Sequence, residues 1–103
     1  MTLYHKLVRD RIPEIIASSG RRCDIRILDD EAYLDALDQK LSEELAEYQE
    51  SKSMEELADL LEVIHAVAKA RGSSMEEIES IRVKKSSQRG AFDKRILLLS
   101  THE

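Results

Sequence analysis

An all-α fold, an antiparallel helical bundle, is the class this sequence predicts, and three observations predict it. Charged residues make up 36% of the 103 residues and aromatics 4%, with one proline and three glycines. That balance suits helices and leaves too few turn and aromatic positions for a β-sandwich. Apolar residues recur at spacings of three and four along two long tracts: Leu34, Leu37, Leu41, Leu45 and Tyr48, then Leu57, Leu60, Leu61, Ile64, Val67 and Ala68. Asp29 or Asp30 stands before the first tract and Gly72 after the second. The length suits one domain, 1–103, and is too short for two.

Residues 4–9 show no clear period. Asp10 is placed to cap a short helix that carries Pro13 in its first turn and runs to Ser18 or Ser19, with Gly20 as its stop. Residues 22–28 alternate, with Cys23, Ile25 and Ile27 on one side and Arg22, Asp24 and Arg26 on the other. This pattern predicts a short strand, and the terminal apolar run within 95–99 is its expected partner in a two-stranded β element. Asp29 or Asp30 opens the first long helix, over 30–50, and the second covers 53–71 before Gly72 stops it. Ser73 or Ser74, with Glu76 or Glu77 three residues on, caps a last helix that ends near Ser87.

No proline or glycine separates the two long tracts, so their division rests on the stripes. In one continuous helix the stripe centred near Ile64 would lie about 140° round from the stripe centred near Leu41. No single neighbour could bury both. A break at Ser51-Lys52-Ser53 followed by an antiparallel hairpin lets both stripes face one core.

Charge narrows the function classes. The net charge of −5 gives no general attraction to nucleic acid or to an anionic membrane. The basic residues are outnumbered and have no aromatic partners for stacking bases, so no nucleic-acid partner is expected. The N-terminal residues lack the apolar run of a signal peptide, and no stretch approaches a membrane span, so a soluble, cytoplasmic protein is expected. Cys23 is the single cysteine, which excludes an intrachain disulfide and a cysteine-based metal motif; a buried, inert thiol is expected there.

The acidic residues are patterned. Glu43-Glu44-Leu45-Ala46-Glu47 returns twelve residues later as Glu55-Glu56-Leu57-Ala58-Asp59. On the first helix Glu44 lies about 60° from the stripe centre, Glu47 about 120° and Glu43 about 160°. On the second, Glu56 lies about 80° and Asp59 about 140° from the centre, with Glu55 opposite it. Each helix therefore carries an i,i+3 acidic pair along one edge of its apolar face, while Glu43 and Glu55 are expected in solvent. Four convergent carboxylates repel one another unless a cation lies between them, and an oxygen-only set suits Mg²⁺ or Mn²⁺ rather than zinc. Two plainer readings remain open on spacing alone. The acids can be ordinary solvated charge, and Ser53-x-x-Glu56 can be a capping box that uses the Glu56 side chain to tie down the second helix.

The repeated acidic block resembles the E-x-x-E…E-x-x-D signature of the all-α nucleoside triphosphate pyrophosphatases. That group includes the MazG-like proteins, the dimeric dUTPases and the phosphoribosyl-ATP pyrophosphohydrolases. "YHKLVRDRIPEII" (4–16) and "KKSSQRGAFDKRILLL" (84–99) resemble a small MazG-like branch regarded as house-cleaning enzymes for non-standard nucleotides. The resemblance implies a Mg²⁺-dependent (Mn²⁺ possible) pyrophosphohydrolase that cleaves the α–β bond of nucleoside triphosphates to a monophosphate and pyrophosphate. It implies Glu44, Glu47, Glu56 and Asp59 as metal ligands, with Glu44 or Glu47 as the base that takes the proton of the attacking water. Lys85 and Arg89 match the family's basic block, and Lys6 and Arg9 belong to a second basic cluster, so all four are expected on the phosphates. Where the family reads Gly-Gly-Phe this chain has Gly90-Ala91-Phe92, a restriction on φ that alters the fit if the loop approaches phosphate by its backbone. One hairpin cannot enclose a triphosphate, so a homodimer or higher homo-oligomer is expected. The competing class is a non-catalytic helical interaction module with an acidic surface.

Overall fold

The computed structural model describes residues 4–103, and among them it contains four α-helices and no β-strand. They are α1 (Ile12–Ser18), α2 (Asp30–Ser51), α3 (Met54–Ala70) and α4 (Met75–Arg89). The all-helical class is therefore as the sequence predicts.

Local chemistry sets most of the ends. Asp29 caps α2, its Oδ1 accepting from the Ala32 amide at 2.9 Å. Lys52 ends α2 in the left-handed region (φ 59), with its amide donating to the Tyr48 carbonyl at 2.7 Å. Its ammonium lies 5.6 Å from the Tyr48 ring centroid, a cation–π contact that helps hold this unusual conformation for a non-glycine residue. Ser53 then caps α3 through the Glu56 amide at 3.3 Å, so the turn needs only Lys52 and Ser53. Gly72, at φ 82, takes the chain out of α3, and Ser74 caps α4 through the Glu77 amide at 3.1 Å. The exception is α1. Its N-cap is Arg11, with no side-chain hydrogen bond, and the cap expected from Asp10 is not formed.

Helices α2 and α3 form the antiparallel hairpin, and its far end is tied by Arg71 Nη2 on Asp38 Oδ2 at 3.3 Å. α4 touches α3 sparingly, and α1 packs against no other described helix. The hairpin is rotated relative to its apolar stripes. Buried residues on α2 are Leu37 and Glu44, and on α3 Val63 and Ala68. Val63 lies about 100° from the Ile64 stripe centre, on the side that carries Glu56 and Asp59. Both helices therefore turn their acidic edges inward. On the other side of the stripes Leu45, Leu57 and Leu61 remain 45%, 37% and 53% exposed.

The β element expected from 22–28 and 95–99 does not form. Ile25 and Ile27 are exposed, as are Ile96, Leu97, Leu98 and Leu99, so neither segment has a surface to cover its apolar side. Alternation supplies a face, but a strand also needs a backbone partner and a layer beneath it. Cys23 lies in the first of these segments and is exposed, not buried.

The single chain is far from globular. Its radius of gyration is 18.4 Å, against about 13 Å for a compact domain of this length. Its accessible surface is 9628 Å², where a folded monomer of this mass exposes roughly 5,900 Å². No described helix is long and apolar enough to cross a membrane.

Candidate metal centre

The inward rotation of α2 and α3 assembles two overlapping sets of carboxylates. Glu44, Glu56 and Asp59 bring one oxygen each within 4.8 Å of one another, and so do Glu43, Glu44 and Glu47. Glu44 belongs to both. At such separations two unit charges repel by about 3–4 kcal/mol for an effective dielectric near 20. The four acids named from the sequence are thus gathered around Glu44, but in two sets and not in one ring.

Glu44 is the centre of this arrangement in burial as well as position. It is 6% exposed, and its Oε2 has no hydrogen-bond partner among the described residues. Burial pushes the Glu44 carboxyl above its ordinary value, and the neighbouring Glu47 carboxylate pushes it further; Lys40 pulls the other way. A buried carboxylate oxygen beside other carboxylates and without a protein donor can be satisfied by a shared proton, a water or a cation. This orphaned oxygen distinguishes the cluster from solvated surface charge.

Glu56 resolves the capping alternative. Its backbone amide does bond Ser53 Oγ, but the Ser53 amide donates to Ser51 Oγ at 3.2 Å. The reciprocal half of a capping box is taken by a serine, and the Glu56 side chain is left to the acidic set.

Glu43 departs from expectation. Instead of facing solvent it is half-buried, with Oε1 3.1 Å from Lys6 Nζ and 3.4 Å from Lys40 Nζ. Burial raises its carboxyl, but the Lys6 hydrogen bond and the charge and hydrogen bond of Lys40 outweigh that and hold it below the usual value. The cause is the same rotation, which carries the whole acidic edge of α2 toward α3 and the N-terminal arm. Glu55 is exposed as expected.

Lys40 is the residue that sequence reasoning missed. Its Nζ lies 3.5 Å from Glu44 Oε1, and its side chain is only 21% exposed. The available signal was its i,i+3 and i,i+4 spacing to Glu43 and Glu44.

Among the expected phosphate-binding residues, the structure divides two from two. Arg9 Nη2 reaches Asp59 Oδ1 at 2.7 Å, and Lys6 reaches Glu43, so both stand at the acidic centre. Lys85 and Arg89 are exposed on α4, which leaves the hairpin at the C-terminal end of α3, away from Glu56 and Asp59. Arg89 lines a shallow depression with Gly90, Ala91, Asp93, Lys94 and Ile96. In that turn the left-handed position belongs to Gly90 (φ 82), and Ala91 is not left-handed, so the alanine causes no backbone strain. Tyr48 is half-buried beneath Lys52.

A pH effect follows from the raised Glu44 carboxyl. A folded state that holds this proton more tightly than the unfolded chain is stabilised where the group is protonated. Stability then falls as pH rises from the unfolded carboxylate value through the folded one. The metal-free protein is therefore expected to melt higher at mildly acidic pH than at neutral pH, with Glu43 opposing this slope only as pH falls through its own lowered value. Saturating Mg²⁺ is expected to remove the slope, because a cation favours the ionised form. Thermal melts across pH with and without Mg²⁺ check this, and identical profiles would count against a cation on Glu44.

No family model matches the chain, and no solved structure does. An uncharacterized protein of Mycolicibacterium smegmatis is 62% identical over 42 residues, which are 41% of this chain and 43% of the relative. The aligned part thus spans less than half of either protein.

Proposed function

We propose that the protein is a Mg²⁺-dependent nucleoside triphosphate pyrophosphohydrolase that cleaves the α–β anhydride. The buried Glu44 oxygen without a protein donor among the described residues, at the meeting of two carboxylate sets, carries this reading, because a cation there would satisfy it and offset the repulsion of the neighbouring acids. The three motif blocks that resemble the MazG-like pyrophosphatases supply the reaction. Glu44, Glu56 and Asp59 would hold the ion. When bound, Mg²⁺ supplies neutralisation of phosphate charge and a lowered pKa for a coordinated water.

The chain's own residues have separate tasks. Glu47 lies against Glu44 but outside the Glu44–Glu56–Asp59 set, where its carboxylate can take a proton from the attacking water. The water oxygen bonds to the α-phosphorus as the bond to the bridging oxygen breaks, and pyrophosphate leaves with that electron pair. Arg9 and Lys6 are near enough to meet phosphate oxygens, and the electrostatic positioning of such charge is the main work in phosphoryl transfer. Lys85 and Arg89 would reach a triphosphate only from a second copy of the chain. The large exposed surface, with Leu45, Leu57 and Leu61 uncovered, supports such a homodimer or higher oligomer. A reducing, Mg²⁺-containing cytoplasm suits both the free Cys23 thiol and the carboxylate site.

The test is a pyrophosphate-release screen over ordinary and non-canonical nucleotides, with Mg²⁺ and with EDTA. Release that depends on Mg²⁺ with at least one nucleotide is expected. The exposed apolar segments 22–28 and 96–99 favour a second reading, a non-catalytic helical interaction module. Silence across the screen, with no thermal shift from Mg²⁺ and nucleotide together, would select it.

A further inference from the structure

We infer that Arg9 stands in for a divalent cation on Asp59 and transfers to the ligand's phosphates when the cation binds, an inference that rests on the metal reading above. Arg9 and Lys6 come from the same short arm ahead of α1, and α1 itself packs against no described helix. The arm meets the hairpin through two ion pairs, Lys6 on Glu43 of α2 and Arg9 on Asp59 of α3. It therefore lies across the acidic centre with one cation on each wall.

The two walls differ in what happens when an ion arrives. Glu43 keeps Lys40, a half-buried lysine on its own helix, whatever the arm does. Among the described residues Asp59 pairs with Arg9 alone, and the Arg9 side chain is 58% exposed. A divalent cation held by Glu44, Glu56 and Asp59 would sit beside the Arg9 guanidinium and repel it, while drawing the charge of Asp59 to itself. Arg9 then loses its partner at the moment when phosphate oxygens enter next to the ion. Its planar fork matches phosphate in two parallel hydrogen bonds, which a point-charge ammonium cannot do. The same side chain thus neutralises the empty site and recognises the filled one. A plain surface ion pair that only fastens the arm would do neither.

Manganese titration of the full chain, read by loss of the free Mn²⁺ paramagnetic resonance signal, separates these cases. Arg9→Gln is expected to bind Mn²⁺ about two- to five-fold more tightly than wild type, the scale of an exposed ion pair removed from competition. Arg9→Lys keeps the charge and is expected to match wild type. With Mn²⁺ bound, inorganic tripolyphosphate is expected to bind Arg9→Gln roughly ten-fold more weakly, as loss of hydrogen bonds to a charged group implies. Glu44→Gln tests the metal reading by itself and is expected to lose Mn²⁺ uptake. If wild type binds Mn²⁺ and Glu44→Gln does not, but Arg9→Gln binds no more tightly than wild type, the exchange is overturned and the metal site stands. Unchanged tripolyphosphate affinity in Arg9→Gln overturns the transfer to phosphate. No Mn²⁺ uptake by wild type overturns both.

Discussion

Glu44→Gln is expected to lower pyrophosphate release by about two to three orders of magnitude or more, the scale on which single electrostatic partners act in a transition state. The same substitution is expected to make the metal-free protein harder to unfold. The two effects share one cause. Glu44 is buried among carboxylates with an unpaired oxygen, which costs the folded chain about 1–3 kcal/mol. An uncharged amide removes the repulsion and with it the reason to take up an ion. A gain of about 1 kcal/mol raises the melting temperature by roughly 4–8 °C in a domain this small. Glu56→Gln provides the comparison: it is half-buried and its backbone cap on Ser53 survives the change. It is expected to lose activity with little change in stability. Activity in both variants equal to wild type would remove the acidic set from the mechanism. A drop in metal-free stability for Glu44→Gln would mean that Lys40 already satisfies Glu44.

The second large effect concerns the surface that one chain leaves open. The purified protein is expected to sediment at twice the single-chain mass of 11.8 kDa or more. Its surface exceeds the expectation for a folded monomer by more than a standard interface buries, roughly 1,600 Å². Leu61 is 53% exposed on the open side of the α3 stripe. Leu61→Asp is expected to shift the particle toward single-chain mass and cost about 2–3 kcal/mol, or roughly 10–20 °C in melting temperature. Because Lys85 and Arg89 are remote from their own acidic centre, that variant is also expected to lose activity. A fully active single-chain particle would sink this view of assembly.

The division into α2 and α3 was legible because two stripes out of phase cannot share a neighbour. That Glu44, Glu56 and Asp59 meet was legible because they follow one edge of each stripe, whereas Glu43, read as solvent-facing, joins Glu44 and Glu47. What wheel geometry could not give was the rotation of the helices. A stripe broader than one neighbour can be buried from either side, and the choice between sides decides whether Glu43 faces water or Lys6 of the N-terminal arm. The same ambiguity hid Val63, which is buried although it lies outside the stripe as read. The expected strand at 22–28 failed for a different reason. Alternation is local, whereas pairing and cover are not, and neither Ile25 nor Leu97 finds cover within one chain.

The short turn through Lys52 and Ser53 has a consequence for folding. Glu44 to Asp59 is sixteen consecutive residues joined by that turn, so the acids meet through contacts of low sequence separation. Closing so short a segment costs little chain entropy and occurs early, before any distant part of the chain must be ordered. Forming the hairpin also brings the acids together, an electrostatic cost that cations of the medium or of the N-terminal arm lower. Ionic conditions would therefore enter how readily this hairpin forms as well as what it holds once formed.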